Sequence, residues 1–329
     1  MSPDGRILVW AIADDKVKFT DPQQPPNMIF DGSRIRLYDI AADKFVDRFP
    51  GFKGDANDLT FTDAGKTLIT VDHRDGVVRL WNVEAGKEEG SFQAVPEAEK
   101  KQSSGVSRTM LSADGKTLAV AYHPNNRGGG GLGDRGAPHL VRLWDVATGK
   151  EQHTLNGHRH YVLGMAFSPD GRFLVTAGDL WKASIDKLID HVFVRETATG
   201  DRVAALPNGL PIGASAVAFS NDGRFLATAL PEGAIRIWEV ATWTKRNEFK
   251  GHRDRPTTLT FAPGGQLLSG SVDTTVLAWD IRPPRVAGSV SLESAWNDLA
   301  TREAGESFKS EGRFLTSPAD AVKFLAEKV

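Results

Sequence analysis

Two short patterns recur six times in phase along this chain. A chain that repeats itself at this period folds as stacked copies of one small unit rather than around one irregular core. The first pattern is a turn ending in Gly: Ser2-Pro3-Asp4-Gly5, Thr62-Asp63-Ala64-Gly65, Ser112-Ala113-Asp114-Gly115, Ser168-Pro169-Asp170-Gly171, Ser220-Asn221-Asp222-Gly223 and Ala262-Pro263-Gly264-Gly265. Pro presets φ early in such a turn, and Gly takes a positive φ at little cost. The second is an alternating strand with an aromatic-acidic end. It reads Ile35 to Asp39, Val78 to Asn82, Val141 to Asp145, Val192 to Glu196, Ile235 to Glu239 and Val276 to Asp280. Apolar and polar residues mostly alternate there, which is strand periodicity.

The spacing locates what has been added to the unit. From each strand end to the next turn Gly the chain runs 26, 33, 26, 27 and 26 residues, and from turn Gly to strand end 34, 17, 30, 25, 16 and 15. The minimal unit is therefore close to 42 residues. The surplus sits at 14–32, 124–138 and 180–190, inside repeats, and near 94–105, between two repeats.

With Gly157-His158 and Gly251-His252 ahead of the turns, and Asp75-Gly76 and Asp273-Thr274 behind them, residues 1–280 resemble the WD40 family. The resemblance implies an all-β propeller, a rigid disc of four-stranded blades with strands a to d. Six repeats are recognisable, ending near 39, 82, 145, 196, 239 and 280, which makes residues 1–285 the propeller and 286–329 a closing strand and helical tail. Strands within a blade are antiparallel, so a–b and c–d turns share one end while b–c and d–a loops share the other. All four insertions fall at the b–c/d–a end, and loops on rigid scaffolds commonly carry function.

Both ends of the chain depart from the repeat. Met1 directly precedes the first turn, so repeat 1 lacks its strand a; the expectation is a fragment of a seven-bladed parent, or another segment filling the gap. After Asp280, Val286 to Leu292 is read as strand d of the last blade. Leu292, Trp296 and Leu299 then follow helical spacing, and Ser317 as N-cap with Pro318 and Asp320 signals a second helix. This tail resembles that of planctomycete-type bacterial WD40 proteins in Trp296-Asn297-Asp298-Leu299-Ala300 and in Pro318, Ala321, Val322, Phe324 and Leu325.

Composition narrows the function classes. A net charge of −2 lacks the basic excess of a nucleic-acid binder. With no cysteine, disulfides, thiolate metal sites and a Cys nucleophile are excluded. The run Ile7 to Ala13 is far shorter than the roughly 20 residues of a membrane span, and Met1-Ser2-Pro3-Asp4 has no basic stretch of a signal peptide. A soluble chain is expected, with the cytoplasm favoured and neither nucleic acid nor membrane as partner.

The strongest local chemistry is structural. The resemblance implies a hydrogen-bonded tetrad of His252, Ser271 or Ser269, Asp273 and Trp279, with His158 and Thr176 as the counterpart in repeat 4, where Arg195 replaces Trp. The Asp–His–Ser composition also fits a catalytic triad, but a nucleophile must face a cleft with an oxyanion site, whereas these residues staple a blade. Gly128 to Gly133 satisfies Gly-x-Gly-x-x-Gly, yet a strand follows where nucleotide binding needs a helix N-terminus. His153, His158 and His160 lack a carboxylate cluster to complete a metal site. No catalytic residue, cofactor or metal is assigned. The expected function is a non-catalytic scaffold for other proteins, docking across the insertions with Pro25, Pro26, Arg127 and Trp181 as anchors. A propeller enzyme, or a small-ligand or glycan binder, is the alternative.

Overall fold

The Ser-x-Asp-Gly turns close because two side chains lock them. Ser168 Oγ accepts the Phe173 N–H at 2.9 Å and donates to Asp170 Oδ1 at 2.5 Å. The same carboxylate takes the Arg172 N–H at 3.0 Å. Ser112–Asp114 and Ser220–Asp222 repeat the relay at 2.6 Å, and Ser2 Oγ accepts the Ile7 N–H at 2.8 Å. Gly115, Gly171 and Gly223 adopt φ near +70°, the conformation that L side chains resist. At the far end of the strands, the acidic residue of the second pattern makes the next turn. Asp145 Oδ1 accepts the Thr148 N–H at 2.8 Å, as Asn82 does for Ala85 and Asp39 for Ala42.

The computed structural model describes residues 2, 6–13, 33–46, 56–62, 65–73, 75–96, 103–124, 139–158, 161–178, 192–206, 213–282, 291–299, 314 and 318–328. Between these turns lie six antiparallel sheets, the blades of an all-β propeller. Blade 1 is β1 (Ile7–Ala13), β2 (Ser33–Asp39) and β3 (Lys44–Val46). Blade 2 is β4 (Ala56–Thr62), β5 (Thr67–Asp72), β6 (Val77–Asn82) and β7 (Lys87–Gln93). Blade 3 is β8 (Ser103–Leu111), β9 (Thr117–Pro124), β10 (His139–Asp145) and β11 (Lys150–His158). Blade 4 is β12 (Val162–Phe167), β13 (Phe173–Gly178), β14 (Val192–Glu196) and β15 (Arg202–Leu206). Blade 5 is β16 (Ala216–Phe219), β17 (Phe225–Ala229), β18 (Ala234–Glu239) and β19 (Thr244–Lys250). Blade 6 is β20 (Pro256–Phe261), β21 (Leu267–Ser271) and β22 (Val276–Trp279). Strands pair in sequence order within every blade. The chain forms two compact units, residues 1–162 with 197–200, and residues 163–196 with 201–329.

The core is the set of joints between consecutive blades. In the first unit, Ile35 and Leu37 of β2 pack on Phe61, Leu68, Trp81 and Val83 of blade 2. Ile69, Val71 and Val78 in turn pack with Leu118, Trp144 and Val146 of blade 3. In the second unit, Val175, Val192 and Val194 meet Phe219, Leu226 and Trp238, and Ile235 and Ile237 meet Leu259, Phe261 and Leu267. One face of strand c thus supplies β-branched aliphatics, and the next blade covers them with an aromatic and a leucine. Burying each such side chain contributes about 1.5–3 kcal/mol.

Two expectations need amendment. Ala94 and Val95, placed in an insertion at 94–105, are instead core: both are buried in the blade 2–blade 3 joint, and Ala94 N donates to Gly76 O at 2.9 Å. Ser103 to Gly105 belong to β8. The proposed strand at Val286 to Leu292 lies outside the described residues, except that Leu292 starts helix α1 (Leu292–Leu299). Helix α2 (Pro318–Lys328) begins at the expected proline. Trp296 and Phe314 both meet Phe324, with ring centroids 6.3 and 6.2 Å away. No helix among the described residues is long and apolar enough to cross a membrane.

Two outcomes follow from the turn locks. Ser168 is buried, so Ser168→Ala strands the Phe173 N–H and should cost about 1–3 kcal/mol in urea denaturation. The Ser112 and Ser168 hydroxyls hold Asp114 and Asp170 below their ordinary 3.8. At Asp222 burial pushes upward, but the Ser220 hydroxyl and the Arg224 N–H outweigh it. Depressed carboxylates stabilise fully above their ordinary values, and that stabilisation is lost as pH falls through the folded-state values. Thermal midpoints should therefore hold level down to about pH 5 and drop from about pH 4 downward, and Asp170→Asn should remove part of that slope.

Candidate functional site

The expected partner anchors Pro25, Pro26, Arg127 and Trp181 all lie outside the described residues, as do 14–32, 125–138 and 179–191. What the structure defines is where those segments are rooted. Ala13 faces Ser33 across β1 and β2, so segment 14–32 leaves and returns through a register-paired strand end. Tyr122 faces Leu140 beneath 125–138, and Ala177 faces Val192 beneath 179–191. The rigid sheet ends fix both feet of each insertion.

A residue that pattern reading missed stands beside one of these roots. Tyr161 follows strand d of blade 3, at the d–a end, and is 51% exposed. Its ring lies 5.2 Å from that of His139, the first residue of β10, and His139 faces His158 in register. An exposed aromatic held by a neighbour has the character of an interface anchor. The signal was available, because Tyr161 directly follows the Gly-His stretch where a d–a loop is expected.

The tetrad of blade 6 is assembled. Trp279 Nε1 donates to Ser269 Oγ at 2.8 Å, Ser269 Oγ lies 2.6 Å from His252 Nε2, and His252 Nδ1 lies 3.1 Å from Asp273 Oδ2. Trp279 can only donate and Asp273 can only accept, so one proton arrangement uses every group: Ser269 donates to Nε2, and Nδ1–H donates to Asp273. The serine is Ser269, not Ser271. Ser271 Oγ instead donates toward the carbonyls of Asp254 and Arg255 at 3.0 and 3.1 Å, tying strand a to the turn. The Thr275 hydroxyl, the Arg253 and Thr275 N–H groups and His252 hold Asp273 far below the ordinary carboxylate range. Ser269 is buried with its oxygen already bonded on both sides, so this Asp–His–Ser set has no nucleophile facing a cleft. Trp279 itself is half-buried, packed 5.5 Å from Phe249.

Blades 2 and 5 make the same Trp-to-hydroxyl bond. Trp81 Nε1 donates to Thr70 at 3.1 Å and Trp238 Nε1 to Thr228 at 3.0 Å. In each case the hydroxyl sits two residues beyond the leucine that faces the Trp in register.

A family profile described as "WD domain, G-beta repeat" matches residues 43–82, 149–181, 211–239 and 243–280; three of these stretches end at a strand-c landmark, and 149–181 runs through the Ser168 to Gly171 turn. The chain carries WD40 repeats. Among similar curated proteins, the nuclear distribution protein PAC1 of Coccidioides posadasii is 32% identical over 194 residues, covering 53% of this chain and 40% of that protein. Transcription initiation factor TFIID subunit 5 of Caenorhabditis elegans is 24% identical over 241 residues, covering 64% and 34%. Protein groucho of Drosophila melanogaster is 26% identical over 156 residues, covering 46% and 20%. The chain spans about two fifths of the length of the PAC1 relatives it matches.

Two WD40 repeats divide the Trp–hydroxyl pair between them. In blade 3, Trp144 faces Leu118, so Val120 occupies the hydroxyl position, and Trp144 Nε1 is buried without a hydrogen-bond partner. In blade 4, Thr176 is present and buried, but Arg195 stands where Trp would. Burial pulls the Arg195 guanidinium below its ordinary value, and it lies over the Phe193 ring at 5.7 Å. His158 is buried at the end of β11. Val120→Thr should restore the missing bond and leave stability unchanged or raised by up to about 1 kcal/mol. Val175→Thr, the same change in a purely apolar joint, should cost about 1–3 kcal/mol. Chemical denaturation of the two variants side by side checks the pairing rule.

Proposed function

We infer that this chain is a non-catalytic scaffold that holds other proteins across the loops at the b–c/d–a end of its blades. The observation that carries the reading is the contrast between the two ends of each blade. The a–b and c–d turns are short and locked by Ser, Asp and Asn side chains. The insertions all spring from the other end, from register-paired strand termini. Blade 5 closes its b–c turn with Gly233 and no insertion, so the extra residues are not needed to form a blade. Ordering them costs entropy, which contact with a partner would offset.

Several threads support this reading. Relatives include proteins named as subunits, of TFIID and of the target of rapamycin complex. The hydroxyl–imidazole–carboxylate set of blade 6 is closed and structural. Tyr161 joins Pro25, Pro26, Arg127 and Trp181 as a contact residue in this proposal. Residues 1–285 form the propeller and 286–329 a tail of the planctomycete bacterial type, and a cytoplasmic setting fits a chain with these partners.

The test is direct. The full chain used as bait should capture a protein partner, and a version with 14–32, 125–138 and 179–191 shortened to the length of the blade 5 turn should melt as the parent does. Its affinity for that partner should fall at least tenfold, and Tyr161→Ala should weaken it in part. Arg172→Glu and Arg224→Glu, at the locked end, should change nothing. A trimmed chain that binds as tightly as the parent, or a complex broken by the Arg172 or Arg224 change, overturns the assignment.

A further inference from the structure

Strand d is the outer strand of a blade, and in blades 2, 3 and 5 it is charged. Strand β7 opens Lys87-Glu88-Glu89, β11 opens Lys150-Glu151, and β19 carries Lys245, Arg246, Glu248 and Lys250. Each of these strands makes a one-residue bulge against strand c, and the extra residue is polar: Glu89, Gln152 and Arg246. Charge and bulges both keep the edge of a sheet from accepting another strand.

Strand β15 of blade 4 keeps the bulge and lacks the charge. It reads Arg202-Val203-Ala204-Ala205-Leu206, and its extra residue is Val203, 46% exposed. Phe193 stands where Arg79, Arg142 and Arg236 stand in the other blades, and it faces Ala205, so the position has no ion pair to make. Strand β15 ends the strand order of its sheet, and among the described residues no strand pairs with its outer side. It is held firmly from within. Leu206 is buried in the joint to blade 5, Ala204 packs against the same joint, and Ala204 to Leu206 pair without a break with Val192 to Val194. At its start two guanidinium groups share one ring: Arg202 lies over Phe193 at 5.4 Å, and Arg195, its partner in register, at 5.7 Å. Burial and then the Arg202 charge pull Arg195 below its ordinary value, and Asp201 offsets only part of this.

We propose that β15 receives an added strand: an extended segment of a partner protein, with small or β-branched side chains along Val203 to Leu206 and a carboxylate beside Arg202 and Arg195. An outer strand offers a row of backbone N–H and C=O groups. A peptide that pairs with them draws affinity from the main chain and specificity from a few side chains. The occupant is apolar along its length because β15 is, and acidic at one end because two guanidinium groups stand there. Strand β15 of a second copy has no carboxylate of its own to bring. The site lies on the outer edge of one blade, apart from the loop ends assigned above, so it stands or falls independently of that assignment.

Titration calorimetry of the full chain with short synthetic peptides tests this. The probes alternate valine and threonine and carry one glutamate, at the first position in one peptide and at the last in the other, so that both strand directions are sampled. At least one should bind and slow hydrogen exchange at β15 amides. Val203→Lys gives β15 a charged bulge like those of blades 2 and 5, at an exposed position. It should melt as the parent does and bind the peptide at least tenfold more weakly. Arg202→Gln should weaken the glutamate peptide to a similar degree and leave its glutamine version unchanged. The same peptide with methylated backbone nitrogens should not bind the parent. The proposal is overturned if neither peptide binds, if methylation makes no difference, or if Val203→Lys or Arg202→Gln binds the glutamate peptide as the parent does. It is equally overturned if every amide from Arg202 to Leu206 is already protected in the free chain, since another segment or a second copy then holds the edge.

Discussion

The packing of a strand-c aromatic and a strand-b leucine against the β-branched face of the preceding blade is what the rest of this structure depends on. A single antiparallel sheet of three or four strands has two faces and cannot bury either of them alone. Leu37 is buried only because Trp81 and Leu68 lie over it, and Ile237 only because Leu267 and Phe261 do. Stability therefore resides between blades, in a one-dimensional series of contacts between nearest neighbours. The turn locks and tetrads serve this arrangement. They hold each sheet's register, and register decides which residues reach the joint, since a slip of one residue would turn the whole aliphatic row to the wrong face.

The polar devices are distributed unevenly, and the unevenness is informative. Blade 6 has the full His252–Ser269–Trp279–Asp273 set, blades 2 and 5 have the Trp–Thr bond, and blade 3 has a Trp144 with no hydroxyl to receive it. The blade 3 joint is nonetheless filled, with Leu118, Val120 and Tyr122 buried around Trp144. Packing thus carries the blades, and hydrogen bonds add a smaller increment, about 0.5–1.5 kcal/mol each. Trp243 shows the same priority. It holds φ at 55°, a conformation costly for a bulky residue, in the turn where blades 2 and 3 have Gly86 and Gly149, and its ring packs edge-on against Phe173 of the neighbouring blade at 5.3 Å.

Much of the fold was legible because both landmarks are local. A Gly-ended turn and an alternating strand each declare themselves within five residues, and six phased copies leave little room for another architecture. What was not legible depended on register or on distant contacts. Ser269 and Ser271 lie on the same face of β21, and only the pairing of Leu267 with Trp279 shows that Ser269 is the one beneath the indole. Ala94 and Val95 sat in a stretch of surplus length, and nothing local shows that they fill the joint to blade 3. The expected anchors on the insertions rest on residue type alone, whereas Tyr161 stands out only through its exposure together with its contact with His139.

The outermost strands carry a further consequence. In blades 2, 3 and 5 an arginine of strand c reaches a glutamate of strand d: Arg79 to Glu88, Arg142 to Glu151 and Arg236 to Glu248, the last at 2.9 Å. Such pairs contribute little energy each, about 0.2–1 kcal/mol. Their partners, though, lie on strands written Lys87-Glu88-Glu89, Lys150-Glu151 and Lys245-Arg246-Asn247-Glu248. A strand at the rim of a sheet presents unpaired backbone groups that invite a foreign strand to add itself, and dense charge is the means by which proteins discourage it. In a protein built of many open sheets, dense charge on these three rim strands works against edge-to-edge association.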